Sequence, residues 1–432
     1  MPAVTNRHGG VAGVVRTFLS LVAVSGASFA DGAFPNAMQV LIPASDARRI
    51  YVGATFGLVF TADAGASWRY VCEPHVTGGS NVSLYALQSD GAILALADNL
   101  TRSTDQGCTW SAIAAPSGTA WVDTFADASD ASRVLGVAWT GAGTSSGIWI
   151  SHDSGLTFPT QLLQSNEQLV SVESAASTPD TIYAATAGSA FFKTDDGGAT
   201  WQRSDVPGSP ATVRILAVSP ADPSTVWVRA ITLPTTSLRG PAGAGATFLI
   251  IPPASGTDHL LRSTDGGATF SELLAVSGAF TGFAHGLDGT LYLSDGNAGL
   301  LTEPPGASAF QRRPGPHLQC ISLSGSRLLG CSDGSLDPFN VAASNDGGAT
   351  WSALLNFKQI AGPATCTQVR TACATDWTYQ QTVLGIPPAP PEGQGCSSID
   401  PDALAFAVAV LIARRSKARW TRKQRTIPPP CP

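Results

Sequence analysis

The chain is short of charge, of basic residues in its body, and of every spacing that marks a metal or nucleotide site. Only 13% of its 432 residues are charged. Residues 31–395 hold 16 Lys and Arg against 29 Asp and Glu, a net of −13. A nucleic-acid surface needs a basic footprint, so that class of partner is excluded. The six histidines, His8, His75, His152, His259, His285 and His317, are scattered without ligand spacing. Cys-x-x-Cys pairs are absent, which argues against structural zinc. Gly-Lys-Ser is absent too, so no phosphate cradle is present, and the two Gly-x-Ser-x-Gly matches, Gly143–Gly147 and Gly330–Gly334, lack the helical pattern that follows a hydrolase elbow. No cofactor is expected. The body shows no amphipathic helical period.

What remains is Gly, Pro, Ser, Thr and Ala with 44% hydrophobic content, enough to bury a core. Many short strands joined by Gly-rich turns give this profile.

Both ends read as processing signals. Arg7 and Arg16 precede the apolar stretch Thr17–Ala27, and Ser28-Phe29-Ala30 offers cleavage after Ala30, so residues 1–30 form a secretory signal peptide. Residues 386–395 are a Pro/Gly linker. Residues 396–432 then carry Cys396, the apolar run Ala403–Ala413 and the basic segment Arg414–Arg419. This order resembles the MYXO-CTERM sorting tail of myxobacterial surface proteins. The resemblance implies processing or lipidation at Cys396 and display at the cell surface or outer membrane. The apolar run of about 11 residues is shorter than the ~20 that span a bilayer, and the chain runs on to Pro432, so plain secretion is the alternative.

Eight cysteines suit an oxidising compartment. Cys320 and Cys331 flank a Ser-Gly-Ser turn and can bridge across strands. Cys366 and Cys373 can close a small loop, which leaves Cys72 to pair with Cys108.

One motif recurs: Ser/Thr-x-Asp-x-Gly-x-Thr/Ser-aromatic. Its aspartates are Asp63, Asp105, Asp153, Asp196, Asp265 and Asp346, followed by Trp68, Trp110, Phe158, Trp201, Phe270 and Trp351. A decayed copy has Pro305 where the Asp belongs and ends at Phe310. The spacings are 42, 48, 43, 69, 40 and 41 residues, the period of four-stranded propeller blades. The long interval holds an insertion, Leu233–Thr257. In each copy the Asp is expected to accept backbone N–H groups of its own turn, the Gly to take positive φ, and the aromatic to pack between neighbouring blades. The fold expected over 31–385 is therefore all-β, a single seven-bladed propeller of four-stranded antiparallel blades.

The repeats resemble the Asp-box (BNR-repeat) propeller superfamily over about residues 34–380. That group contains sialidases, sortilin-type receptors, xyloglucan-cleaving glycosidases and the photosystem II assembly/stability factor family. Length and the Asp-Gly-Gly-Ala-Thr-Trp wording are closest to the last. The resemblance makes the six aspartates structural and puts ligands at the central channel.

A sialidase would need an arginine triad, a Tyr nucleophile and its Glu partner, and an Arg-Ile-Pro motif; only Leu41-Ile42-Pro43 stands in the expected place. Glutamate is scarce: Glu73, Glu167, Glu173, Glu272, Glu303 and Glu392 in the body. Asp123, Asp127 and Asp130 are the nearest thing to a catalytic carboxylate cluster, and turn chemistry accounts for such a loop as well. The insertion, with Arg239 and Phe248, and the segment Trp139–Trp149 are candidate contact loops. The sequence favours a monomeric, non-catalytic binding or scaffold module. Its ligand is an unidentified extracellular or envelope carbohydrate or protein, and it meets the membrane only through its tail. A glycoside hydrolase acting on extracellular polysaccharide is the alternative.

Overall fold

A computed structural model describes residues 35–387 apart from 80, 81, 83, 98, 142 and 234–255. The signal peptide with its cleavage point at Ala30, most of the insertion, most of the linker, and the tail with Cys396 lie outside the described residues.

The described chain is an all-β propeller. Strands alternate along each sheet as up-and-down hairpins, and the order within each antiparallel blade follows the sequence. Five sheets stand as separate blades. The first is built from Ala37–Leu41, Ile50–Ala54, Gly57–Thr61 and Trp68–Cys72, and it gains a fifth, parallel strand, Ile360–Pro363, from near the end of the described chain. The next four blades begin with Leu84–Leu87, Thr119–Ala126, Leu169–Ala175 and Thr212–Val218, and each has four strands. The first strands of successive blades lie against one another, and the last sheet returns to Ala37–Leu41, which closes the ring.

This corrects the expectation of seven separate four-stranded blades. Five discrete blades form, and residues from Gly282 to Leu355 make one seven-stranded sheet instead. The cause is a single 14-residue strand, Gln311–Ser324. Its first half pairs with Ala298–Glu303 and its second with Arg327–Ser332. Pro314 and Pro316 hold φ in the extended range, so the chain runs straight on where other units insert a loop such as Pro207–Pro210.

The core sits between blades rather than in one central mass. One cluster joins Leu94, Leu100 and Ile113 of the second blade to Trp121 and Val134 of the third. Another joins Leu135 and Ile148 to Leu169 and Ile182. Tyr183 and Phe191 meet Val213 and Val228 in the next seam. The motif aromatics fill these seams: Phe158 lies 4.6 Å from Trp121, and Phe270 meets Phe191 edge-on at 5.2 Å. Trp68 is fully buried, while Trp110, Trp201, Phe310 and Trp351 are partly buried against their clusters. Burying such rings supplies ~150–250 Å² each, the main hydrophobic drive for docking one blade on the next.

Among the described residues three short α-helices accompany the strands, where none of amphipathic kind was expected: α1 (Glu73–Thr77) between the first two blades, and α2 (Thr367–Ala372) and α3 (Ala374–Leu384) after the last strand. Of α3 only Leu384 is buried, so no apolar stripe announces it in the sequence. Disulfides place it. Cys72 bonds Cys373, Cys108 bonds Cys366, and Cys320 bonds Cys331. The expected Cys72–Cys108 and Cys366–Cys373 pairs are thereby corrected. Both cysteines of the terminal segment reach back to the first two blades, because the parallel strand Ile360–Pro363 delivers them there.

Candidate functional site

The repeated aspartates are turn-closing groups. Thr61 Oγ1 donates to Asp63 Oδ1 at 2.6 Å, Ser67 N donates to the same oxygen at 2.9 Å, and Ser67 Oγ donates to Oδ2 at 2.6 Å. The same three contacts recur at Asp105, Asp153, Asp196, Asp265 and Asp346. Donation from the Thr hydroxyl four residues on, aided by the other donors, lowers the carboxyls of Asp153, Asp196, Asp265 and Asp346 to about 2. Donation from the Ser67 hydroxyl holds Asp63 lower still. These carboxylates have their acceptor capacity spent on their own turns.

The three aspartates singled out in the sequence separate in space. Asp127 pairs with buried Arg133 at 2.9 Å, and Arg133 goes on to Ser174 Oγ and the Pro179 carbonyl, which ties two blades together. Asp130 accepts Ser132 N and Oγ and closes a surface turn. Asp123 alone lies on a first strand, in the inner ring.

The first strand of each blade is a sheet edge, with N–H groups that its own sheet leaves unpaired. Side chains from the preceding blade satisfy several of them. Gln39 accepts Tyr85 N and donates to the Tyr85 carbonyl. Asp123 Oδ2 accepts Val172 N at 3.0 Å, and Glu173 Oε1 accepts Val218 N at 3.1 Å. Arg214 donates to the Val170 carbonyl at 3.1 Å. Burial raises Asp123 to about 6, partly offset by Arg214 and the backbone donors. Burial also raises Glu173 to about 7, with the nearby Asp123 charge adding to the rise.

A second locus lies on the fifth blade and was not singled out in the sequence. Thr232, His259 and Glu272 stand on three adjacent strands, Val226–Thr232, Thr257–Ser263 and Ser271–Ser277, whose register brings them together. His259 Nδ1 lies 2.7 Å from Glu272 Oε2, and His259 Nε2 lies 3.1 Å from the Thr232 hydroxyl. These groups line a cavity of about 450 Å³, whose other walls include Pro207, Ala230 and Leu261. Sequence distance hides the group: the insertion separates Thr232 from His259, and only strand register could reveal the meeting.

The candidate segment Trp139–Trp149 forms a hairpin between adjacent strands. Its aromatics face inward: Trp139 Nε1 donates to the Leu169 carbonyl and Trp149 packs against the core between the second and third blades.

A profile described as Sortilin-Vps10 (Sortilin, neurotensin receptor 3) matches residues 146–281. No curated protein matches the chain. Among solved structures, YCF48 from Cyanidioschyzon merolae is 15% identical, with 69% of this chain and 94% of that one covered and a TM-score of 0.48. The β-propeller domain of Myceliophteria thermophila Cps50 (Swd1) is 10% identical over 69% and 94% of the chains, with a TM-score of 0.45. A GH74 xyloglucanase from Xanthomonas campestris is 14% identical over 76% and 71%, with a TM-score of 0.25.

Among the described residues no group of His, Cys, Asp and Glu is arranged to hold a metal ion. No described helix is long and apolar enough to cross a membrane.

Proposed function

We propose that this chain is an exported, monomeric binding propeller of the Asp-box kind, held at the cell surface through its C-terminal tail and engaging an extracellular or envelope carbohydrate or protein. The observation that carries this reading is the use made of the inner-ring carboxylates. Asp123 and Glu173 each give an oxygen to a backbone N–H of the next blade, so they act as seams of the ring. The fifth-blade cavity, with apolar walls and a few convergent polar groups, has the make-up of a recognition site. The disulfides tying the last described helices to the first two blades suit an oxidising compartment.

The test is a panel of plant and bacterial glycans and envelope proteins, scored for both binding and breakdown. Saturable binding without products supports the module. Products released by the full chain would reject it.

One observation favours a glycoside hydrolase as second reading: two carboxylates on neighbouring inner strands, raised to about 6 and about 7, sit in the range of a general acid. Under that reading Asp123→Asn abolishes hydrolysis while leaving the protein folded.

A further inference from the structure

We infer that the fifth-blade cavity is a receptor for a lysine side chain of a basic partner protein. The inference rests on the binding-module reading and names the chemistry of the occupant.

The polar wall is built around the Glu272 carboxylate, with His259 and Thr232 beside it. A carboxylate accepts, so in the 2.7 Å contact His259 Nδ1 donates to Glu272 Oε2. His259 Nε2 faces the Thr232 hydroxyl at 3.1 Å. That hydroxyl donates to the Thr257 carbonyl at 3.2 Å. A ligand entering here therefore meets Oε1 of the Glu272 carboxylate and, beside it, the Thr232 hydroxyl oxygen. It must bring N–H or O–H groups and, to answer Glu272, a positive charge.

The walls narrow the class. Pro207, Ala230 and Leu261 present hydrocarbon, which suits a methylene stem and not a small hydrated cation. Glu272 Oε2 is already engaged by His259, so the two-oxygen fork that guanidinium prefers is not open. An ammonium, with three donors on a compact charge, needs only Oε1 and the neighbouring hydroxyl oxygen. The Glu272 side chain is 52% exposed at the cavity, where it can meet an incoming charge. The body's net charge of −13 over residues 31–395 draws such a partner in at low ionic strength.

The experiment titrates the full chain with three peptides, acetyl-Gly-Gly-X-Gly-Gly-amide with X lysine, norleucine or arginine, followed by chemical shifts of the His259 ring. The lysine peptide is expected to bind at least tenfold more tightly than norleucine and several-fold more tightly than arginine. Glu272→Gln should remove most of that preference at an unchanged melting temperature. Equal binding of lysine and norleucine, absence of saturable binding, or an undiminished preference in Glu272→Gln would overturn the inference. If a panel ligand binds the ring while the lysine peptide does not, the occupant is wrong and the module reading stands. If neither binds, both fall.

Discussion

Two consecutive left-handed residues follow each repeated aspartate. Where the first is Gly197, Gly266 or Gly347 the backbone adopts this freely, but Ala64, Gln106 and Ser154 hold φ of 63°, 62° and 64° at the same place. A side chain in that region costs about 1–2 kcal/mol, against about 0.5–1 kcal/mol of extra chain entropy for glycine. Ala64→Gly should therefore stabilise the protein by up to about 1 kcal/mol, read from denaturant midpoints; a lower midpoint would show that the turn is not under this strain. The second position allows no exchange. A Cβ on Gly267, at φ +84°, would lie 2.4 Å from the ring of buried Phe191. Gly267→Ala combines backbone strain with overpacking of a blade seam and should cost about 2–4 kcal/mol. A loss under about 0.5 kcal/mol would mean the seam can give way there.

At the scale of elements, the terminal segment behaves as a clasp. Ile360–Pro363 joins the outer strand of the first blade in parallel, and Ala364 N continues the pairing to the Tyr70 carbonyl at 2.9 Å. Two disulfides spanning 301 and 258 residues then lock the ends of the ring. Chain-entropy arguments give long loops the largest effect, so replacing Cys72 and Cys373 together by alanine should cost about 2–5 kcal/mol. Thermal unfolding with and without reductant checks this: the wild type should lose stability on reduction, and the double variant should lose less. Here the limits of sequence are plain. The Asp turns were legible because every partner lies within four residues. The aromatic seams were legible because a fixed period implies equivalent neighbours. Cysteine partners were not, since nothing local says that Cys373 ends beside Cys72. Nor was the merging of two repeat units into one seven-stranded sheet, which depends on a missing turn between Gln311 and Ser324. The Thr232–His259–Glu272 group stayed hidden for the same reason: it is a product of strand register.

At the scale of the molecule, two sets of carboxyls pull stability in opposite directions with pH. The turn aspartates, at about 2 in the fold against 3.8 ordinarily, lend stability that is lost as pH falls from about 4 toward 2. Asp123 and Glu173, at about 6 and about 7 against 3.8 and 4.5, hold protons more tightly in the fold, so their protonated state favours folding and stability declines as pH rises from about 4 to 7. Melting temperature should peak near pH 4–5, and Asp123→Asn with Glu173→Gln should flatten the decline above it. A decline as steep in the double variant would show that other groups cause it. Address is tested separately: removing residues 396–432 should release a folded body into the medium, and a truncated chain that stays cell-bound would show that the tail is not the anchor.

The most direct test of the whole account compares the full chain with its Asp123→Asn, Glu173→Gln variant for binding and product release on one shared glycan and protein panel. The account predicts a ligand bound equally by both and broken down by neither. Product formed by the wild type and lost in the variant would contradict it, and would make the inner ring a catalytic centre.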